Sequence, residues 1–526
     1  MNRTGSYLHE AFVGLLQSLR WSYLPPLMVY LAAGISGLTA IVGTFFVKDY
    51  LGLSAAFLAG LGFWAGLPWA LKMPLGHLVD LFWRYKTYFV YLGALVITAS
   101  LLIMFGLIAH TERMRAVMAI EAWYVLSVIL APVGYVLQDV VADAMTVEAV
   151  PTTNPSGHPL PASEIKEMHT TMQALGRFAV IGGSLLVALL NVALFSDVES
   201  LTDDDKRSVY ASIYVYALAI PGVSIAGVIL AKYLRYAPRL DESEIPRVRP
   251  NWAVLGGSLV FVLFSVSVGG FDIPFAQEIV FLGSMAIIVY LMGQLLGYLE
   301  AETRLMVVGT AVAIFVFRAV PSPGPGLTWF EIDVLLFDEQ FLSVLAAISS
   351  ALTLLGIILL RPLVAHYSIA RIIVVLSLVG GCLFLPSIGM YYGLHQWTAA
   401  LTGGLIDARF IAILNTALES PLGQISMIPL LAWIAKNAPA ELKATFFAVF
   451  ASFTNLALSA SALATKYINE IFEVSRQIVD PTTQQVTTAA DYTELGLLLI
   501  AVALITVIVP ITVVAVIQRS PFRSTD

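Results

Sequence analysis

Charge is scarce in this chain of 526 residues: Asp, Glu, Lys and Arg together make up 12% of it. Soluble domains carry about a quarter of their residues as charges, so a set of water-soluble globular domains is excluded. Cysteine is all but missing. The lone Cys382 stands in an apolar run, which excludes a disulfide within the chain and a thiolate metal site. There is no surplus of base either, because 28 Lys and Arg stand against 35 Asp and Glu, for a net charge of -7. No nucleic-acid partner is therefore expected. The chain also lacks a glycine-rich phosphate loop, a nucleophile–base pattern and a haem motif. That argues against an ATP-driven pump and against an enzyme, and no cofactor is expected. His77 and His110 have no neighbours at metal-ligand spacing.

What the chain has in plenty is apolar surface: 59% of its residues are hydrophobic and the mean hydropathy is +0.85. A helix that crosses a bilayer needs about 20 mostly apolar residues. Runs of that kind recur at 24–47, 54–79, 87–109, 116–142, 168–195, 209–231, 252–270, 279–299, 305–320, 341–360, 369–390, 410–435, 444–467 and 495–517. They predict an all-α polytopic membrane protein of 14 spans. The organisation expected is an amphipathic cytoplasmic lead-in at 1–23, a six-helix bundle at 24–232 and a cytoplasmic linker at 233–251. An extra helix pair at 252–300, a second six-helix bundle at 301–518 and a tail at 519–526 complete it. Polar loops are expected at 151–163, 201–207 and 473–491. With both termini cytoplasmic, 17 of the 28 bases fall in inside loops and 8 outside, the bias that sets membrane orientation. The bilayer expected is a bacterial inner membrane.

An ionised group in hydrocarbon costs several kcal/mol unless it is paired or faces water, so each one within a span is a functional candidate. Asp139 and Asp143 lie one turn apart and share a helix face. Lys72 and Arg177 fall at similar depth, so a proton- or substrate-sensitive network is one reading and a structural ion-pair network is the other. Glu148, close to Pro151, is expected to reach interfacial water. Glu419 falls near the midplane of its span, where carriers bind substrate, with Asn415 one turn before it and Gln424 and Asn455 at comparable depth. Pro421 should loosen the helix beside it. A lone carboxylate buried there can take up a proton during transport; its other role is a hydrogen-bonded structural one. Trp69 after Pro68 can stack on a flat ring or simply pack. Gly182, Gly183 and Ser184, like Ser459, Ser461 and Ala464, suit close helix contact.

Gly76, Leu78, Asp80, Arg84 and Lys86 at the end of the second span resemble the loop signature of the major facilitator superfamily, with Trp83 where that pattern has Gly. Asp80 could there accept from a helix N-terminus or pair with Arg84 and act as a gate; an ordinary interfacial loop has the same residues. A longer ordered set narrows the likeness. It comprises Phe45 to Ser54 with Lys48 and Asp49, Pro68 to Gly76, Gln138 to Ala144 with Glu148, Pro321 to Pro323, Trp329 and Phe330, Phe341 and Leu342. Pro429, Pro439, Glu441, Ala444 to Ala448 and Asn455 follow in the same order. Together they resemble the folate–biopterin transporter family of that superfamily. The resemblance implies a major facilitator fold of two six-helix bundles, here with two extra central helices. It implies a monomeric secondary-active carrier for a folate- or pterin-type solute, a symporter if protons are coupled. Lys72 or Arg177 would then attract carboxylates, Glu419 and Asn455 would hydrogen-bond the ring, Trp69 would stack on it, and Asp139, Asp143 or Glu419 would handle the proton. Two other functions fit the same residues: a permease for another solute such as peptidoglycan fragments, and a carrier-fold protein that assists assembly of a membrane complex or pigment.

Overall fold

The computed structural model describes residues 19–523 except 52, 71, 83–84, 152, 155–157, 197, 235–255, 257–259, 261–262, 266, 270–272, 298, 365–367, 423–442 and 480–485. The lead-in at 1–18, most of the linker, most of the first extra helix, Arg84 and Gln424 therefore lie outside the described residues. Among those described, eight helices are long and apolar enough to cross a membrane, and shorter apolar helices accompany them at Ala55–Trp69 and Ala276–Tyr290. The chain forms two compact units, Met1–Thr44 with Pro74–Gly257 and Phe45–Met73 with Ser258–Asp526.

In chain order the helices are α1 (Leu24–Ile35), α2 (Ala40–Tyr50), α3 (Ala55–Ala70), α4 (Lys72–Leu81), α5 (Lys86–Ala109), α6 (Ile120–Ala149) and α7 (Ala162–Leu194). Then come α8 (Asp203–Ala217), α9 (Ala219–Leu234), α10 (Ala276–Leu296), α11 (Ala301–Arg318), α12 (Pro325–Asp333) and α13 (Glu339–Val364). The last are α14 (Ile369–Tyr391), α15 (Leu394–Thr402), α16 (Ala408–Glu419), α17 (Lys443–Ile471) and α18 (Leu495–Gln518).

Apolar side chains cannot by themselves hold helices together in lipid, so the first unit relies on small residues and hydrogen bonds. On α5 and α6, Gly93 and Gly134 meet so closely that a Cβ on Gly93 would lie 2.6 Å from the Gly134 carbonyl oxygen. Two turns away Ser100 and Ser127 share hydroxyl contacts at 2.9 Å, and Gln138 Nε2 donates to the Val90 carbonyl at 3.2 Å. The α1–α7 seam is built alike. A Cβ on Gly34 would lie 2.1 Å from the Val180 oxygen, and one on Gly183 would lie 3.0 Å from the Gly34 backbone. Ser184 Oγ donates to the Gly34 carbonyl, and Asn191 Nδ2 to that of Leu38. Of the small residues expected to pack closely, Gly183 and Ser184 do so, whereas Gly182 has nothing within 4 Å.

In the second unit α17 is the hub. One face, with Ser459 and Ala462, lies against α3: a Cβ on Gly66 would come 3.3 Å from Ser459 Oγ, and Phe63, Leu67 and Leu463 share a buried apolar cluster. Another face carries Ser461, Thr465 and Asn469, four residues apart. Ser461 Oγ donates to the Val320 carbonyl at 2.6 Å, Thr465 Oγ1 accepts from the Ser322 amide at 2.9 Å, and Asn469 Nδ2 donates to the Pro323 carbonyl at 3.2 Å. These bonds satisfy the irregular backbone between α11 and α12, which water would otherwise have to do. Gly324 turns the chain there at φ 75°, with Pro325 opening α12, the arrangement a helix start tolerates.

Local chemistry overrode two expected loops. Residues 203–207 are the start of α8, because Thr202 caps the helix and Asp203, Asp204 and Asp205 favour its positive end. Within 473–491 two short strands, β1 (Ile478–Val479) and β2 (Val486–Thr488), pair antiparallel, with Ile478 opposite Thr488. Glu148 pairs with Lys86 at 2.5 Å while its side chain stays 35% exposed.

The two glycine neighbours on α1–α7 make the packing testable. Gly34→Val should lower the melting temperature of detergent-purified protein strongly, since overpacking a tight contact costs roughly 1–3 kcal/mol or more. Gly182→Ala should leave it unchanged; thermal unfolding followed by intrinsic fluorescence distinguishes them.

Candidate functional site

Two polar clusters stand out, one in each unit. In the first, α1 and α6 present Tyr30 and Asp143 to each other, and the Tyr30 hydroxyl donates to Asp143 Oδ1 at 2.5 Å. Asp139, Asp143 and Arg177 all act electrostatically on that hydroxyl. Tyr30 is 8% exposed. Gly176 lets α7 pass over its ring, because a Cβ there would lie 2.9 Å from Cε2. The next residue on α7 is Arg177, whose side chain is exposed. Asp139 and Asp143 are partly buried one turn apart on α6, as their spacing requires. Of the two acids and two bases expected to meet, Asp139, Asp143 and Arg177 act on the Tyr30 hydroxyl, whereas Lys72 falls in the second unit. Tyr30 was missed because a tyrosine in an apolar run reads as core; its depth, equal to that of the acids, was the available signal.

Lys72, Trp69 and Asn455 belong to the second unit. Asn455 Nδ2 on α17 donates to the Trp69 carbonyl at 3.1 Å, which joins the expected ring-stacking residue to the expected hydrogen-bonding one. Lys72 begins α4 and is partly buried. Glu419 ends α16 with its side chain exposed, contrary to the buried carboxylate expected there. The helix stops because Pro421 cannot continue it. A single 3-10 turn follows at Ser420–Leu422, and Thr353 Oγ1 on α13 caps the Ser420 carbonyl at 3.0 Å. Asn415, one turn earlier, keeps a buried Oδ1 with no partner among the described residues. Of the expected gate, Gly76 has open space around it, Asp80 lies on the same helix α4, and Arg84 is not described.

Of the second cluster, Lys48, Asp49 and Trp329 belong to the ordered motifs of the family resemblance. Lys48 Nζ, at the end of α2, pairs with Asp333 at the end of α12 at 2.5 Å and with Asp49 at 3.2 Å. The Tyr492 hydroxyl donates to the other oxygen of Asp333. Arg476 stacks over Trp329 with 5.5 Å to the ring centroid. Beside Asp333 on α12, burial pushes the Glu331 carboxyl up to about 7. Among the described residues no group of three or more His, Cys, Asp or Glu is placed to hold a metal.

Comparison with known proteins gives these clusters a setting. The model of the BT1 family matches residues 33–525. A curated folate-biopterin transporter from Synechocystis sp. is 22% identical over 441 residues, covering 83% of this chain and 72% of the relative. Among solved structures, a POT family transporter in complex with 5-aminolevulinic acid matches with a TM-score of 0.62 at 12% identity, over 95% of this chain and 96% of that one. The nucleoside transporter NupG matches with a TM-score of 0.53 at 13% identity, over 95% of this chain and 100% of that one. At such identities the likeness concerns the fold, and it is that of the major facilitator transporters.

Glu331 makes a pH dependence testable. Its folded-state value of about 7 lies above the ordinary 4.5, so the folded protein holds the proton more tightly than the unfolded chain. Its contribution to stability is full below 4.5 and is lost as pH rises through 7. Thermal unfolding of purified protein should therefore show a melting temperature that falls between about pH 5 and 8. Glu331→Gln, which cannot lose a proton, should flatten that part of the curve.

Proposed function

Because the chain belongs to the BT1 family, we propose that this integral membrane transporter is a secondary-active carrier for a folate- or pterin-type compound, cycling by alternating access with a proton as coupling ion. The observation that carries the reading is the meeting of Tyr30, Asp139, Asp143 and Arg177 on spanning helices. Charges placed at such depth are costly unless they have a task. The Tyr30 hydroxyl gives one of the two neighbouring carboxylates a hydrogen-bond donor. A solute carboxylate drawn by Arg177 would compete with the two acids for that base. The carboxylates of a folate suit Arg177 and Lys72. Its flat ring suits Trp69, which Asn455 holds by its carbonyl, and the exposed Glu419 can accept hydrogen bonds from ring N–H groups. Support for the solute class comes from the Synechocystis relative's name and from the ordered motifs it shares a family with. Gly76, Asp80 and Arg84 would serve as a gate at the end of the second span.

The carrier would act as a monomer in a bacterial inner membrane with both termini cytoplasmic, the orientation favoured by the distribution of Lys and Arg.

A thermal-shift screen of detergent-purified protein against folates, pterins and muropeptides tests the solute. A ligand that binds only the folded state at about 100 times its Kd adds about 2.7 kcal/mol, so folates or pterins should raise the melting temperature by several degrees. A shift with muropeptides alone would replace the solute. Uptake of the binding compound into proteoliposomes should be driven by an imposed proton gradient and abolished by Asp143→Asn. Uptake indifferent to both would rule out the coupling.

A further inference from the structure

Between α14 and α16 the chain makes a helix too short to span a membrane. This is α15, nine residues with a glycine at each corner: Gly393 at φ 85° precedes it, and Gly403 at 65° and Gly404 at 90° follow it. The Gly404 amide closes the last turn on the Ala399 carbonyl at 2.7 Å. Glycine enters the left-handed region without a steric penalty, so the backbone at both corners sets the direction of α15.

The faces of α15 differ. Thr398 and Thr402, one turn apart, are tied to the chain that follows: Thr398 Oγ1 donates to the Ile406 carbonyl at 2.7 Å, and Thr402 Oγ1 accepts from the Ile406 amide at 3.0 Å. Ile406 packs against the apolar cluster that holds Ile411 and Leu498, so this face looks to the protein. Leu394, Trp397 and Leu401, three and four residues apart, make an apolar face. Its first residue rests on α14, where a Cβ on Gly389 would lie 2.6 Å from Leu394 Cδ2. Trp397 and Leu401 are 63% and 66% exposed, and Leu405 just beyond the helix is 72% exposed. Gln396 stands on a third, polar face and is exposed as well. No Asp, Glu, Lys or Arg occurs in α15.

The bare apolar face continues a surface that meets lipid. On the spanning helix α14, Val375, Leu378 and Leu385 are exposed, at spacings of three and seven that put them on one side. Tyr392, seven residues further on, is exposed too and leads directly into α15. We propose that α15 is an interfacial anchor that lies on the bilayer, with Trp397 and Leu401 in the boundary between headgroups and acyl chains and Gln396 toward water. Tryptophan and tyrosine suit that layer because their rings are apolar with one polar edge, and a helix with one apolar face lies in its plane. Without a charge of its own, α15 offers nothing to an ionic partner, and its attraction is to apolar chains. With the N-terminus cytoplasmic, as proposed above, the surface it rests on is the outer one. The inference goes beyond the carrier reading and its test uses no solute.

The test places a nitroxide on one position at a time in a Cys382→Ser background, through Trp397→Cys, Leu401→Cys or Gln396→Cys, with the full chain in nanodiscs of phosphatidylcholine. Collisions with oxygen, which concentrates in lipid, are compared with collisions with nickel ethylenediaminediacetate, which stays in water. The oxygen-to-nickel ratio should be several-fold higher for the labels replacing Trp397 and Leu401 than for the label replacing Gln396. Ratios no higher than at Gln396 would overturn the anchor. Labels at Trp397 and Leu401 shielded from both reagents would also overturn it, and would assign the face to a second copy of the chain. Should a cysteine variant not be recovered as monodisperse protein, Trp397→Phe takes its place. The fluorescence lost on that substitution should be smaller in brominated phosphatidylcholine than in the ordinary lipid, because bromine quenches a tryptophan that it touches. An equal loss in the two lipids would overturn the proposal.

Discussion

Lipid offers no hydrogen bonds, so every break in a spanning helix has to be satisfied by the protein itself. Much of the second unit follows from that constraint. The chain leaves helical form between α11 and α12, and three side chains at four-residue spacing on α17 bind the carbonyls and amide exposed there. The break in turn frees α12 to end in Asp333, where Lys48 and Tyr492 meet. Near α16 the same rule operates on a smaller scale: Pro421 stops the helix and Thr353 takes up the carbonyl of Ser420. Polar residues that would be ornaments in a soluble helix are here the fastenings of irregular backbone.

Charge is used with the same economy. One group, around Tyr30, lies on spanning helices. The other, around Asp333, joins the ends of helices distant in the chain. The distinction is chemical. Around Tyr30 two carboxylates and an exposed arginine surround a neutral hydroxyl, an arrangement whose charge a ligand or a proton can alter. Around Asp333 a lysine and a tyrosine hydroxyl share one carboxylate, an arrangement that fixes helix ends.

Sequence reading was most successful where the signal is one of depth. Asp139, Asp143 and Arg177 were legible because a charge inside an apolar run has few innocent explanations. The close approach at Gly183 and Ser184 was legible for a similar reason, since small residues in a span have a packing role by default. Tyr30 was invisible because its ring belongs in a core, and only the position of α6 reveals what its hydroxyl does. Lys48 and Arg476 were legible as topology markers and not as partners, because they are far apart in the chain and each alone is an ordinary base near a helix end. The burial of Glu331 was hidden for the same reason. It depends on the packing of α12, which no local pattern reveals.

The sequence by itself determined that the chain lives in a bilayer, which of its charges stand at costly depth, and, through an ordered set of motifs, the family to which it belongs. Those conclusions rest on composition and local spacing, which survive without knowledge of contacts. The tertiary structure alone decided that Phe45–Met73 packs with the second unit, that Asp333 serves Lys48 and Tyr492 at once, and that Arg476 stacks on Trp329. Pairings of that kind join residues more than a hundred positions apart, and in a medium without water the choice among possible partners is made by how the helices pack.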